Sequence, residues 1–281
     1  MVSSEKVWDG NGLLSRLYLG YIRWVPHPGK LRLVRALYRL FFENRLVVQS
    51  DNGANIRIEI DDYIGWAIAA TGSYEPATLK SARRLLNERP GIFVDVGANA
   101  GLFSCYLGLE PGVSCIAIEP HPVQLDRLQK NLELNSSIRC ELVAAAVGAS
   151  FEILPMKDPH KGNQGTAAIA ESEVADLWVA GTTLTDVLSK LGCEAVELMK
   201  IDIEGYELQA IQGLDLQGSA RPRHIILEVN ELAEPAGRAA TIDYLVRRGY
   251  GVSQIDGSDY VPGEVILESN LIFSDSLSTA Q

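Results

Sequence analysis

The spacing of apolar positions changes character near residue 91. Before it, apolar residues recur at helical intervals: Leu33, Leu37, Leu40 and Phe41 lie three or four apart, with Arg32, Arg35 and Arg39 between them. That spacing places one face of a helix against a core and predicts helix over 12–46. Pro26 and Pro28 interrupt the stretch and divide it into two helices. Ile56, Ile58 and Ile60 alternate, which predicts a short strand over 57–60. Pro76 suits a first helical turn, so a helix is expected from there to just before Pro90-Gly91.

Beyond residue 91 the pattern becomes short apolar runs separated by helical segments. Strands are predicted at 92–96, 114–118, 139–147, 196–201, 224–229, 250–255 and 265–273, with a side strand at 151–155. Helices are predicted at 101–109, 123–135, 183–191, 206–212 and 236–248, with a polar loop at 157–166. Strands alternating with helices specify an α/β, doubly wound sheet. The expected organisation is a helical extension with short strands over 1–73, then one α/β domain over 74–281.

Bulk properties narrow the partners. The chain has 281 residues, 47% of them hydrophobic and 22% charged, enough for one buried core and an appendage. The net charge of −11 excludes a generic nucleic-acid coat, which needs a basic stripe. The charge is uneven, however. Up to residue 46 eight basic residues face three acidic ones, a balance of +5, which leaves −16 for the rest. This basic arm is expected to be a lid, a homo-oligomer contact or a peripheral anchor on an anionic membrane surface. Packing on the core is the plain structural reading. Cys105, Cys115, Cys140 and Cys193 have no zinc or CxxC spacing and fit reduced, core thiols. No leader pattern and no apolar run near the roughly 18 residues of a spanning helix is visible, so a cytoplasmic chain is expected.

The most informative stretch is Phe93-Val94-Asp95-Val96-Gly97-Ala98-Asn99-Ala100-Gly101-Leu102-Phe103. An apolar strand runs into a turn whose glycines permit close backbone approach to a ligand, and a helix follows, as in nucleotide-binding sheets. The spacing is GxxxG, and Asp95 precedes the first glycine by two. An acid there repels a dinucleotide pyrophosphate but suits a sulfonium with a free amino group, which favours S-adenosylmethionine (SAM) over NAD. The second strand ends Ile116-Ala117-Ile118-Glu119-Pro120, so Glu119 is placed to accept hydrogen bonds from both ribose hydroxyls of an adenosine. Asp95, Gly97, Asn99, Gly101 and Glu119 are therefore the expected cofactor contacts. The bland readings are a ligand-free βα turn and a solvated strand-end acid.

These residues resemble the FkbM family of SAM-dependent methyltransferases. The resemblance runs in order through Tyr74-Glu75-Pro76, the glycine turn with its Ala98-Asn99 pair, Glu119-Pro120-His121-Pro122, and Lys130-Asn131-Leu132-Glu133-Leu134-Asn135. It continues through Ala146-Val147-Gly148, Thr182-Thr183-Leu184-Thr185-Asp186, Lys200-Ile201-Asp202-Ile203-Glu204-Gly205-Tyr206-Glu207, Glu228-Val229-Asn230 and Asn270-Leu271-Ile272-Phe273. It departs at His121, often Asn in the family, and at Thr185, often Asp. Residues 1–70 carry no resemblance. The resemblance implies a Rossmann-like seven-stranded sheet and SAM bound over the strand ends. Glu75, Ala98, Pro120, His121 and Ala145 then join the cofactor contacts, with Asp202 on its amino group or supporting the site. The implied reaction is O-methylation of a small-molecule or glycan acceptor, such as a sugar, a polyketide or another secondary metabolite.

An alcohol acceptor needs a base, because its proton must leave before or during attack. Candidates are His160 in the loop 158–163, Asp202 and Glu204 just past the fourth strand, and Glu228 at the tip of the fifth. Strand alternation within Asp202-Ile203-Glu204 is expected to turn both acids to one cleft. His160 as a solvated loop residue and Glu204 as a helix cap are the structural alternatives. Asp202, Glu228 and Asn230 offer oxygen ligands of the kind magnesium takes, but such strand-tip acids occur without metal and none is expected. Three other functions fit the sheet: a nicotinamide-dependent oxidoreductase, a non-catalytic SAM-binding partner protein and, more weakly, a nucleic-acid methyltransferase. Asp95 and the GxxxG spacing speak against the first, and the intact glycine turn and Glu119 against the second. Against the third stand the acidic body and a fourth-strand tip reading Ile201-Asp202-Ile203-Glu204 instead of Asn/Asp-Pro-Pro-aromatic.

Overall fold

The computed structural model describes residues 12–24, 30–42, 46–60, 62–157, 168–169, 175–229 and 235–276. The central sheet has seven strands: β3 (Ile92–Val96), β4 (Ser114–Ile118), β5 (Cys140–Val143), β10 (Val196–Ile201), β11 (Pro222–Glu228), β12 (Tyr250–Gln254) and β13 (Asn270–Asp275). Their order is β12-β13-β11-β10-β3-β4-β5. All neighbours are parallel except β13, which runs antiparallel to both β11 and β12. Chain order reverses between β3 and β10, and the crevice outside the carboxyl ends at such a switch is where open α/β sheets bind ligands.

The central strands β3, β4 and β10 are buried on both faces, which explains their nearly continuous apolar runs. Val94, Val96, Ile116, Ile118, Met199 and Ile201 point to one face, packed under α7 (Leu184–Lys190), α8 (Glu207–Gln212) and α9 (Pro235–Val246). Phe93, Cys115, Leu198 and Ile226 point to the other, under α4 (Pro76–Glu88) and α5 (Leu102–Leu107). Each such side chain contributes about 1.5–3 kcal/mol of burial. α6 (Pro122–Glu133) packs beside α5. All four cysteines are unpaired.

Within the α/β domain, three stretches differ from the sequence pattern. The run 139–147 is not one strand: β5 ends at Val143, and β6 (Ala146–Val147) joins a second, four-stranded sheet with β7 (Glu152–Lys157), β8 (Ala168–Ile169) and β9 (Leu177–Thr182). β9 has no polar alternation to reveal it, because its outward residue Trp178 is itself apolar and exposed. The strand predicted over 265–273 begins only at Asn270.

The extension forms α1 (Leu13–Trp24), α2 (Lys30–Phe42), the hairpin β1 (Leu46–Gln49)–β2 (Asn55–Ile58) and α3 (Tyr63–Thr71) around its own core of Tyr18, Ile22, Val34, Tyr38, Phe42 and Leu46. α3 is apolar on all sides, so no helical stripe marks it in the sequence. Two asparagines of the α/β domain join the extension to α6. Asn135 accepts from Asn55 N at 2.8 Å and donates to Asn55 O, and Asn131 accepts from Arg57 N at 2.8 Å while donating to Ala100 O.

Candidate active site

Backbone geometry at the end of β3 explains the glycines. Gly97 has φ +79°, and a Cβ there would overlap the Asp202 carbonyl; Gly101 has φ +83°, and a Cβ would overlap Leu128. Asn99 also adopts a left-handed φ, +51°, and receives Ala100 N on its own side-chain oxygen at 2.7 Å. The turn therefore lies flat between β4 and β10. Glu119, at the tip of β4, clamps it: Oε2 accepts from Asn99 N and Oε1 from His121 N, both at 2.8 Å. Glu119 is nearly buried, and burial pushes its pKa up to about 7.

β3, the tips of β10 and β11 and the start of α4 bring five carboxyl groups around one lysine. Lys200 is buried, pairs with Asp202 Oδ2 at 2.6 Å and stands 4.6 Å from the centre of the Phe103 ring. Its charge holds Asp202 below the usual carboxylate range, against burial. Glu228 lies against Asp202, and burial together with that charge lifts its pKa to about 10, so it keeps its proton at neutral pH. Burial raises Glu75 and Glu204 to about 7 each. Asp95 is only 2% exposed, accepts from Ser104 Oγ at 2.6 Å, and is pushed up by burial. Even with Glu228 protonated, one lysine among Asp202, Asp95, Glu75 and Glu204 leaves room for further positive charge. A ligand bearing an ammonium and a sulfonium fits that balance.

Two cavities open at these tips. The first is lined by Gly97, Asn99, Glu119, Pro120, Ala145, Asp202 and Glu204, with Ile169, Met156 and Tyr206 from the second sheet and from the turn before α8. The second is lined by Asp95, Gly97, Ala98, Asn99, Lys200, Asp202, Glu204 and Glu228, closed by Phe103, Tyr74 and the extension's Asp62, Tyr63 and Ile64. Gly97, Asn99, Asp202 and Glu204 border both.

Most of the sequence-expected residues thus meet at one place, with differences. Asp95 and Ala98 face the second cavity only. Gly101 and His121 line neither; Gly101 opens α5, and His121 contributes its backbone N–H to Glu119. Glu75 lines neither cavity but accepts from Asn270 Nδ2 at 3.2 Å behind Lys200. Glu204 shares the cleft with Asp202 although β10 has already ended; a φ of +53° turns it there, not strand alternation. It does not cap α8, whose N-cap residue is Tyr206 and which has no side-chain cap bond; Glu207 Oε1 accepts the Ile203 and Gly205 N–H groups just before the helix. His160 and Asn230 lie outside the described residues. Among the described residues, no three His, Cys, Asp or Glu side chains form a group able to hold a metal ion.

Lys200, Tyr63, Met156 and Ile169 are site residues that the sequence reading did not single out. Lys200 sits in the quoted Lys200–Glu207 stretch, and its position two residues before Asp202 was the available signal. Met156 lies one residue past the side strand expected at 151–155, and Tyr63 and Ile169 come from elements that no period in the sequence revealed.

A seven-stranded sheet with a reversed antiparallel edge, a glycine turn at its switch point and an acid at the next strand tip defines a Rossmann-like methyltransferase. Comparison agrees: the family described as Methyltransferase FkbM domain matches residues 95–252, and the chain belongs to that family. Among curated proteins it is 28% identical over 204 residues to Methyltransferase sdnD of Sordaria araneosa, covering 61% of this chain and 77% of that one. It is 25% identical over 202 residues to 31-O-demethyl-FK506 methyltransferase FkbM of Streptomyces tacrolimicus, covering 61% and 76%. Among solved structures the METTL16 MTase domain shares the fold, with a TM-score of 0.50, 15% identity, and coverage of 88% of this chain and 80% of that one. The protein is a methyltransferase and its cofactor is SAM, which sets the nicotinamide reading aside. No helix among the described residues is long and apolar enough to cross a membrane.

Proposed function

We propose that the protein transfers a methyl group to a hydroxyl oxygen of a small molecule or glycan, with the adenosine held in the first cavity and the acceptor in the second. The observation that carries this reading is the shared border: Gly97, Asn99, Asp202 and Glu204 line both cavities. A group crossing from one to the other passes these residues. Glu119, already fixed by two backbone N–H groups, holds the ribose hydroxyls; Pro120 and Ala145 flank the base; Asp202 takes the ammonium. Bound there, SAM supplies an electrophilic methyl on a sulfonium.

The chain's own part is positioning and proton removal. Glu204 is the proposed base, with a pKa raised to about 7 and a place beside both cavities. Asp202 is less suited, because its ion pair with Lys200 lowers its basicity. Glu228 keeps its proton and holds Asp202 in place. Tyr63, 60% exposed and edge-on to Tyr74 at 6.3 Å, offers a ring face at the mouth of the acceptor cavity. The Streptomyces relative is named as a methyltransferase of a 31-O-demethyl compound, which supports oxygen as the acceptor atom. A screen of hydroxylated metabolites and glycosides with isotope-labelled SAM, read by mass spectrometry, tests it. Label recovered on oxygen is the expected result; label only on nitrogen or carbon overturns the proposal.

A further inference from the structure

The two N-terminal helices carry a feature that methyl transfer does not use. Each has an apolar stripe turned into the core: Tyr18, Leu19 and Ile22 on α1, Val34, Tyr38 and Phe42 on α2. Each also has a second stripe turned outward. On α1 it is Leu13, Leu17 and Trp24, four and seven residues apart and so on one face, exposed by 77%, 63% and 81%. On α2 it is Leu33 and Leu40, seven apart, with Phe41 beside them; Leu40 is 71% exposed, while Leu37 between them is half-buried against the core. Tyr18 OH donates to Val34 O at 2.9 Å and the Tyr18 ring packs on Phe42, which fixes the helices side by side. Scattered exposed leucines are ordinary, but two amphipathic stripes on adjoining helices are not.

Charge decides what covers them. α1 and α2 contain Arg16, Arg23, Lys30, Arg32, Arg35 and Arg39 and no acidic residue, in a chain of net charge −11. Basic residues beside an outward Leu and Trp stripe match a surface with anionic headgroups over an apolar interior. The acidic body does not cancel this attraction, because charges more than about 8 Å away are screened at physiological salt. We propose that α1 and α2 seat the protein on an anionic lipid surface, with Leu13, Leu17, Trp24, Leu33 and Leu40 entering the boundary between headgroups and acyl chains. The inference is independent of the methyl acceptor and needs no activity to test.

The test is co-sedimentation of the full chain with vesicles of phosphatidylcholine alone and with phosphatidylglycerol added, at low and high salt. Binding is expected only with the anionic lipid, to weaken with salt, and to be accompanied by a blue shift of tryptophan fluorescence that Trp24→Phe removes. Leu17→Glu and Leu40→Glu, both at exposed positions, should each lower the partition about tenfold while the melting temperature stays unchanged. No binding to anionic vesicles overturns the proposal, as does binding that the two variants leave intact. Concentration-dependent association lost in the same variants, without vesicle binding, would assign the face to a second copy of this chain.

Discussion

Glu119 shows most directly how a single residue carries the site. Its carboxyl group is immobilised by Asn99 N and His121 N, and the residue lines the first cavity. Charge-assisted hydrogen bonds are worth about 1.5–3 kcal/mol, so Glu119→Ala should weaken SAM by roughly ten- to a hundredfold, measured by calorimetry. An unchanged affinity would remove Glu119 from the ribose site. At the base, a pH profile alone does not separate the candidates. A histidine titrates near 6.5 and a solvated carboxylate well below it, but burial places Glu204 at about 7. The deprotonated form is the base in either case, so the rate should rise with pH through that region whichever residue acts. Glu204→Gln should abolish the rise and lower turnover by about 10²–10⁴-fold, whereas His160→Ala should preserve both; the reverse pattern would make His160 the base. The glycine turn and Glu119 were legible in the sequence because close approach and strand-end charge are local properties. The environment of Glu204 was not, since its burial comes from elements far away in the chain.

Elements of the sheet could be read from their periods, but the pieces that close the cleft could not. β3, β4 and β10 are buried on both faces and announce themselves as apolar runs. α3 lacks a polar face and β9 lacks polar alternation, and these two hold up the walls containing Tyr63 and the second sheet. Long-range capping is equally hidden. The N-cap residue of α4, Glu75, has a left-handed φ of +46° and makes no side-chain cap bond. Instead Glu268, 190 residues from Thr78, accepts from Ala77 N, Thr78 N and Thr78 Oγ1 at 3.0, 2.7 and 2.8 Å. Glu268→Ala leaves these donors without a partner and should cost about 1–3 kcal/mol of unfolding free energy in a denaturant titration. A change below a few tenths would mean that water replaces the cap.

For the whole molecule, we propose that the extension (1–73) and the α/β domain (74–281) work as one unit, since Asp62, Tyr63 and Ile64 wall the second cavity and Asn131 ties β2 to Ala100 of the glycine turn. The acid cluster gives this unit a pH signature. Glu228 holds its proton up to about pH 10 when folded, against an ordinary value of 4.5, so the folded state binds the proton more tightly throughout that interval. Raising pH across it therefore costs stability. Glu228→Gln should flatten the fall in melting temperature between pH 5 and 9 and be more stable than the wild type at the alkaline end; an unchanged slope would deny the buried proton. The central claim is that adenosine and acceptor occupy two cavities meeting at Gly97, Asn99, Asp202 and Glu204. A crystal structure with S-adenosylhomocysteine tests it most directly. The account predicts ribose hydroxyls on the Glu119 carboxylate, the base beside Pro120 and Ala145, and the thioether sulfur facing the second cavity; a nucleoside bound elsewhere, or a sulfur turned away from Glu204, would contradict it.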